Sequence, residues 1–464
     1  MPRLITEKSF YQFIKCPNWV YFDAHALEPK PHDPLLLKLL EEGLIEEKQR
    51  AVLADREDLV EVTAEDPERA FEQTLAFMRE GRQTIYRGVL IDKHWVGHPD
   101  VLERVEGQSH FGNYYYIAAD IKRARQMRDD YAFQGCFYAE LLEKIQGVRP
   151  QQGYVISSEG EVLNYLIESF ASEYKLTLDA IEAIVAGDKP AHFVTSGCKN
   201  SPWFSECKAQ ARSCDDLSLL NRVWGEEIAR LRAAGILTVE QLSQKSIHQL
   251  TDIVPDIRPD RMELLHAQAV ALQSGKHIIR GRADLPEARV EIFFDIESDP
   301  LRDFDYLFGA LVVHDGIQEY VSFLAEYPDQ EGENWRAFVR FIESHMDAPI
   351  YHYGGFEQDV VAHFSAKYGV SELAREAFER NMIDLIGVIR ASVIFPLSFY
   401  SLKDIAAYIG FEWRTADASG ANSVLWAEEW LKHKSEDVKR RILEYNEDDC
   451  RATWIIQRWL RETT

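Results

Sequence analysis

VEIFFDIESDP, residues 290–300, decides the fold of the C-terminal part of the chain. It is apolar enough for a strand buried on both faces, yet Asp295 and Glu297 interrupt it. Residues i and i+2 of a strand point to the same side. Two carboxylates on one face repel each other, and burying them unpaired is costly. A divalent cation between them removes both problems; the alternative is a strand end turning into solvent. The stretches YLFGALVVHDG and EYVSFLAEY continue as strands, and helical segments dominate from about residue 355, which predicts an α/β domain.

Two further stretches belong with it. In APIYHYGGFEQDVVAHF (348–364), a short apolar strand leads through Gly354–Gly355 into a helix with Glu357 and Asp359 in its first turn. In EYNEDDCRATW (444–454), Tyr445 and Asp449 are four apart and share a helical face. A tyrosine beside a metal-bound carboxylate can orient or deprotonate an attacking water. Glu444, Glu447 and Asp448 read as solvated helix charges, Asp448 lying one residue off the Tyr445 face.

With these motifs, residues 288–464 resemble the DEDD exonucleases of the RNase H-like superfamily, in their DEDDy form. DIE (295–297) matches the first motif and YNEDD (445–449) the third. HYGGFE (352–357) is similar to the second, with Glu357 where the family has Asp. The stretch MIDLIGVIR…FYSLKDIAAYIGF (382–411) is similar to RNase H-like nucleases that accompany RecB-type domains. The resemblance implies 3′–5′ exonuclease activity and two Mg2+ or Mn2+ ions held by Asp295, Glu297, Glu357 and Asp449, with Tyr445 beside them. Hard cations prefer such carboxylate oxygens, and a pair ~4 Å apart activates water and stabilises the leaving oxygen.

The N-terminal part carries a second set: GLIEE (43–47), GHPD (97–100), ADIK (119–122) and QGCFY (134–138). Asp120 and Lys122 point the same way from one predicted strand, and Gln134 and Tyr138 share a helical face. Asp120, Asp100 and Glu47 suit a metal ion, and Lys122 places a positive charge beside the nucleophile or scissile phosphate. Alone, DIK is an ordinary surface strand. The ordered set resembles the RecB-like branch of the PD-(D/E)XK nucleases over about residues 1–215.

Of six cysteines, Cys136 and Cys450 read as core filling, while Cys16, Cys198, Cys207 and Cys214 form a candidate thiolate set. Some RecB-like nucleases, CRISPR-associated ones among them, carry a 4Fe–4S cluster with one cysteine before the core and three after it. The resemblance implies iron–sulfur ahead of zinc; four small buried residues are the bland reading. Residues 190–215 read as irregular, 6–22 and 33–54 as helices, and 276–289 as a linker. Between the two halves, 214–253 is similar to a helix-hairpin-helix module, which presents backbone N–H groups to phosphate; a plain helical connector is the equal alternative.

The fold expectation is therefore α/β and multidomain. A restriction-endonuclease-like PD-(D/E)XK core occupies 1–215, a helix-hairpin-helix-like connector 216–275, and an RNase H-like DEDDy domain 288–464. The composition of 464 residues, 46% hydrophobic and 28% charged, is that of a folded globular chain. No apolar run reaches the ~18 residues of a membrane span, and a cytoplasmic location is expected. The net charge of −25 disfavours general adhesion to nucleic acid but not a local basic groove. The expected function is metal-dependent hydrolysis of DNA (single- or double-stranded) or RNA, in repair or CRISPR-linked defence, with helicase, repair or CRISPR-linked partners. The alternative is a nucleic-acid-binding scaffold or accessory subunit with one or both centres inactive. No Walker loop is present, so no ATP-driven motor is expected.

Overall fold

The computed structural model describes residues 4–26, 53–54, 56, 58–122, 127–157, 161–299, 302–415 and 420–464. Contacts divide the chain into two compact units, Met1–Gln210 and Ala211–Thr464. Among the described residues no helix is long and apolar enough to cross a membrane.

In the first unit the strands are β1 (Ile5–Thr6), β2 (Leu59–Glu61), β3 (Thr84–Tyr86), β4 (Leu90–Asp92), β5 (Trp95–Gly97), β6 (Val101–Ser109), β7 (Gly112–Lys122), β8 (Gln152–Ser157) and β9 (Val162–Leu166). Six form one sheet in the order β2-β3-β6-β7-β8-β9, and three form another in the order β1-β5-β4. The long strands β6 and β7 pair antiparallel, and β7 pairs parallel with β8. Period-two alternation sorts β7: Ala119 and Ile121 enter a core with Tyr86, Val101 and Ile156. Tyr116 and Ala118 enter a larger core with Phe133, Phe137 and Leu141 of the helix Asp129–Gln146. Asp120 and Lys122 continue this second face, which aims them past the end of that apolar layer.

The predicted helix over 6–22 is two helices, Glu7–Lys15 and Pro17–His25. Thr6 caps the first, its N–H donating to Ser9 Oγ at 3.2 Å. Cys16 is extended (φ −165°, ψ 106°) because the residue before a proline is driven out of the helical region. Pro17 then opens the next helix, where its missing N–H costs nothing. The stretch 190–215 is not irregular throughout: the helix Phe204–Ser213 lies in it, with Trp203 and Cys207, four apart, buried. The predicted helix over 33–54, with Gly43 and Glu47, lies outside the described residues except for Leu53 and Ala54.

The second unit opens with four helices, Gly225–Ala233, Val239–Gln244, Ile247–Ile253 and Pro259–Ser274. Its strands are β10 (Ile278–Ile279), β11 (Val290–Asp299), β12 (Phe304–His314), β13 (Ile317–Leu324), β14 (Ile350–His352), β15 (Met382–Asp384) and β16 (Val393–Ile394). The expected linker over 276–289 is partly structured, since β10 pairs antiparallel with β16 and so satisfies its backbone polar groups. The main sheet has the order β13-β12-β11-β14-β15, an antiparallel meander extended by two parallel strands. One face of β11, with Ile292, Phe294 and Ile296, packs on Trp335, Phe338 and Phe364. Phe293 of the other face joins Leu311, Cys450, Ile456 and Leu460. The last three residues belong to the long helix Glu436–Thr463.

Candidate active sites

The face of β11 that carries Phe293 also carries Glu291, Asp295 and Glu297, and the helix Glu436–Thr463 lies along it. At one end Arg461 Nη2 and Gln457 Nε2 donate to Glu291 Oε1 at 2.7 and 3.0 Å. This fixes the helix in register. About two to three turns towards its N-terminus, Asp449 then meets Asp295 and Glu297. One carboxylate oxygen from each of these three lies within 4.8 Å of the other two, and this is the one such group of three or more potential ligands among the described residues.

Neighbours hold each carboxylate. Asn446 Nδ2 donates to Asp295 Oδ2 at 2.8 Å, and Asn446 Oδ1 accepts from Tyr320 OH at 2.7 Å. Ser423 Oγ donates to Glu297 Oε2 at 2.5 Å. Trp413 Nε1 donates to Asp449 Oδ1 at 2.6 Å. Gly309 pairs with Asp295 across the β11–β12 ladder, and a Cβ there would lie 1.6 Å from Asn446 Oδ1. Only glycine leaves room for the amide. The Lys403 ammonium sits over the Tyr445 ring, 4.7 Å from its centroid.

Crowding sets the electrostatics. Burial, and then the charges of Asp449 and Glu297, hold the Asp295 carboxyl well above the usual range. Burial and Asp449 push Glu297 up to about 8, against hydrogen bonds from Ser423 and Asn446. Burial lifts Asp449 to about 6, although Trp413 and Lys403 oppose it. Burial also lowers the Lys403 ammonium, which the three carboxylates only partly offset. Three carboxylates this close cannot all ionise without a counter-charge. The donor set, oxygen-only and short of positive charge, fits a hard divalent cation.

Tyr445 is buried, and burial followed by the charge of Asp449 pushes its phenol far above the ordinary range. It keeps its proton and acts as a donor, which leaves orientation of water rather than its deprotonation as the role open to it. Asp448 is not a solvated charge as expected: it is buried and faces elsewhere, where Arg414 Nε and the Arg414 backbone N–H donate to it at 2.7 and 2.9 Å and so offset its burial. Glu447 pairs with Arg451 at 2.7 Å and with Arg414 at 2.9 Å.

Glu357 is not in the group of three. It is buried, its charge contributes to raising Asp295, and its Oε2 has no hydrogen-bond partner. The fully buried His352 lies beside it, Nδ1 to Oε2 at 3.6 Å, while Nδ1 donates to Gly354 O at 2.7 Å. The expected four-carboxylate set is thus three together and one adjacent, the longer side chain being turned towards His352. Asn446, Gly309 and Lys403 were not expected. Asn446 stands inside the YNEDD motif, where four neighbouring polar residues mask it, and Gly309 becomes legible only once its pairing with Asp295 is known.

In the first unit, a cleft of about 1110 Å3 is lined by Glu7, Asp100, Asp120, Lys122, Gln134 and Tyr138 among others. Lys122 Nζ lies 3.1 Å from Asp120 Oδ2. Asp120 Oδ1 accepts from the Asp100 N–H at 3.3 Å, and Asp100 Oδ2 accepts from the Ile121 N–H at 2.8 Å. The Tyr138 OH lies 3.3 Å from His98 O and 3.5 Å from Asp120 Oδ2. Burial works against the Lys122 ammonium, but Asp120 and Asp100 outweigh it and hold its pKa high. Gln134 is buried with Oε1 unpartnered. The structure therefore brings Asp100, Asp120, Lys122, Gln134 and Tyr138 to one cleft; Glu47 lies outside the described residues. Glu7 is an addition. Despite burial, His98 holds its carboxyl below the usual range, with both His98 N and Nδ1 at 3.2 Å from Glu7 Oε2.

Three of the four cysteines, Cys16, Cys198 and Cys207, are buried and lie close enough to shift one another's thiols. Among the described residues their sulfurs do not draw together within 4.8 Å of one another as the three carboxylate oxygens do. Cys198 Sγ accepts from the Thr195 N–H at 3.4 Å and donates to Phe193 O at 3.7 Å. Cys198 lowers the Cys16 thiol, but Cys207 and burial outweigh it and raise it to about 11. Cys214 is exposed and belongs to the second unit. Cys136 and Cys450 are buried, as expected for core residues.

Residues 292–461 match the RNase_H_2 family model of the RNase_H superfamily. The matched span contains Asp295, Glu297, Glu357, Tyr445 and Asp449, so the C-terminal domain is RNase H-like. No curated protein sequence matches the chain.

Proposed function

We propose that the chain is a metal-dependent nuclease whose RNase H-like domain hydrolyses phosphodiester bonds, trimming DNA or RNA from 3′ ends. The observation that carries this reading is the meeting of Asp295, Glu297 and Asp449 within 4.8 Å. These residues would hold Mg2+ or Mn2+, with Glu357 adjacent. Bound there, the metal supplies Lewis-acid stabilisation of phosphate charge and a more acidic water. Asn446 and Ser423 fix the carboxylates on β11, Trp413 fixes Asp449, and the protonated Tyr445 orients water at Asp449. Lys403 places positive charge where phosphate charge accumulates.

The first unit is proposed as a second, RecB-like PD-(D/E)XK centre. Asp100, Asp120 and Glu47 would hold its metal, Lys122 would stabilise the charge that develops on the phosphate, and Gln134 and Tyr138 would position the strand. Cys16, Cys198 and Cys207 are proposed as thiolate ligands of a 4Fe–4S cluster, ahead of zinc. The proximity of these three buried thiols supports this, since thiolates are the ligands such clusters take. Anaerobically purified protein should absorb broadly near ~400 nm; a colourless, iron-free protein removes the cluster.

The test uses end-labelled single- and double-stranded DNA and RNA with Mg2+ or Mn2+, comparing wild type with Asp449→Ala and Asp120→Ala. Two active centres predict that each variant loses one cleavage pattern. Glu357 standing apart favours a second reading, a nucleic-acid-binding scaffold or accessory subunit. Binding without cleavage of any of these substrates would establish it. Co-elution with a helicase, repair or CRISPR-linked protein would place the chain in such a complex.

A further inference from the structure

A second cavity, of about 310 Å3, lies within the second unit, between the helical segment and the RNase H-like domain. Its lining includes Arg222, Trp224, Arg261 and Gln268 on one side and Arg390 and Ile394 on the other. No carboxylate lines it among the described residues, in a chain whose net charge is −25. A carboxylate-free, three-arginine surface on so acidic a protein is a local anion site.

The parts are distinct in role. Arg261 is committed: it donates to both oxygens of Glu227 at 2.7 and 2.8 Å and to Arg222 O at 2.7 Å. That last bond helps hold Arg222 in the left-handed region, φ 54°, a conformation that is costly for a side chain of this size. Arg222 and Arg390 are exposed and form no ion pair among the described residues. Trp224 is 62% exposed, unusual for the largest apolar side chain, and offers an open ring face. Gln268 is 5% exposed, yet its Oε1 has no hydrogen-bond partner. A buried amide lacking a partner is costly, and a ligand that hydrogen-bonds it recovers that cost.

We infer that this cavity is a nucleotide subsite for single-stranded nucleic acid, outside the catalytic centre. Arg222 and Arg390 take backbone phosphate, Trp224 stacks on an unpaired base, and Gln268 hydrogen-bonds that base's edge. The base must be unpaired to reach the ring, which excludes intact duplex. The volume suits one base, being at the low end of the ~300–1,000 Å3 of ligand pockets. The inference rests on the nuclease reading of the second unit for its choice of a strand as ligand.

The experiment measures anisotropy of a short fluorescein-labelled oligothymidylate with the full chain in EDTA. The variants are Arg222→Asn with Arg390→Ala, and separately Trp224→Ala; asparagine keeps the left-handed backbone while removing the charge. Each variant should bind about tenfold more weakly, the order of one stacked base or two phosphate contacts. The arginine pair should also flatten the salt dependence by about 0.7 per lost contact. Unchanged affinity in both variants overturns the subsite, even if the protein cleaves DNA. Weakened binding in a protein that cleaves nothing keeps the subsite and discards the nuclease reading. Thymidine monophosphate is the competing arm: if it displaces the oligonucleotide at the oligonucleotide's own half-saturating concentration, the site takes free nucleotides and the strand assignment falls.

Discussion

Asn446 is bonded twice to Asp295, to its carboxylate at 2.8 Å and to its main-chain carbonyl at 3.3 Å. The same amide accepts from Tyr320, and it occupies the space that Gly309 leaves by having no side chain. One side chain of the C-terminal helix thus ties β11 to β13 across the intervening β12 and aims a proposed metal ligand.

Asn446→Ala leaves Asp295 and the Tyr320 hydroxyl without this partner, and should cost about 1–3 kcal/mol of stability. It should also weaken Mn2+ binding. Gly309→Ala reaches the same end from the other side, because its Cβ displaces the amide. The two changes act on one contact, so the double variant should be much less than additive. Denaturant unfolding of the four proteins reads this, and additive losses would show the contact to be incidental.

Asp448 and Asp449 are adjacent and should behave oppositely. Asp449→Asn removes a member of the carboxylate group and should abolish the metal-dependent cleavage of the C-terminal domain. Asp448→Asn removes the charge of a buried carboxylate that Arg414 pairs with, for a loss of about 1–3 kcal/mol of stability, and should leave cleavage intact. Activity lost with Asp448→Asn and kept with Asp449→Asn would put the register of the site one residue off.

The residues that were legible in the sequence are those whose roles follow from local period. Asp295 and Glu297 share a strand face, Tyr445 and Asp449 a helix face, and Asp120 and Lys122 another strand face; periodicity alone places each pair. What periodicity misses is what depends on register between elements. Gly309 is meaningful only opposite Asp295, and Asn446 only once the helix lies on β11. Glu7 belongs to a helix start far in sequence from the cleft it lines. The break at Cys16 follows locally from Pro17, although the apolar spacing across 6–22 is that of one continuous helix. Glu357 matched a motif by order, but its distance from the other carboxylates is a property of the packed loop and helix.

Raised carboxylate pKa values make the metal-free protein pH-sensitive in a defined direction. In the folded chain Asp449 titrates at about 6 and Glu297 at about 8, against about 4 when unfolded. The folded state therefore holds more protons than the unfolded state across that window, and its stability falls as pH rises through it. In EDTA, the unfolding transition of the second unit should move to lower temperature between about pH 4 and 8. Saturating Mn2+ should remove most of this slope, since it binds the ionised, folded site. A slope of the same size with Mn2+ present would mean that the carboxylates do not hold the ion.

Lys403 sets where on the pH axis the C-terminal site works. Its positive charge lowers Asp295, Glu297 and Asp449, opposing burial in each case. Lys403→Met keeps much of the apolar stem over Tyr445 and Trp413 but removes the charge. The three carboxylates should then hold their protons to higher pH, and metal must compete with those protons. The acid limb of the cleavage rate should move to higher pH, and more Mn2+ should be needed for half-maximal rate at neutral pH. At a pH well above 8, where Glu297 is ionised regardless, the difference in metal requirement should shrink. A variant that loses activity equally at every pH, with an unchanged Mn2+ requirement, would instead give Lys403 a direct contact with the phosphate and no part in tuning the carboxylates.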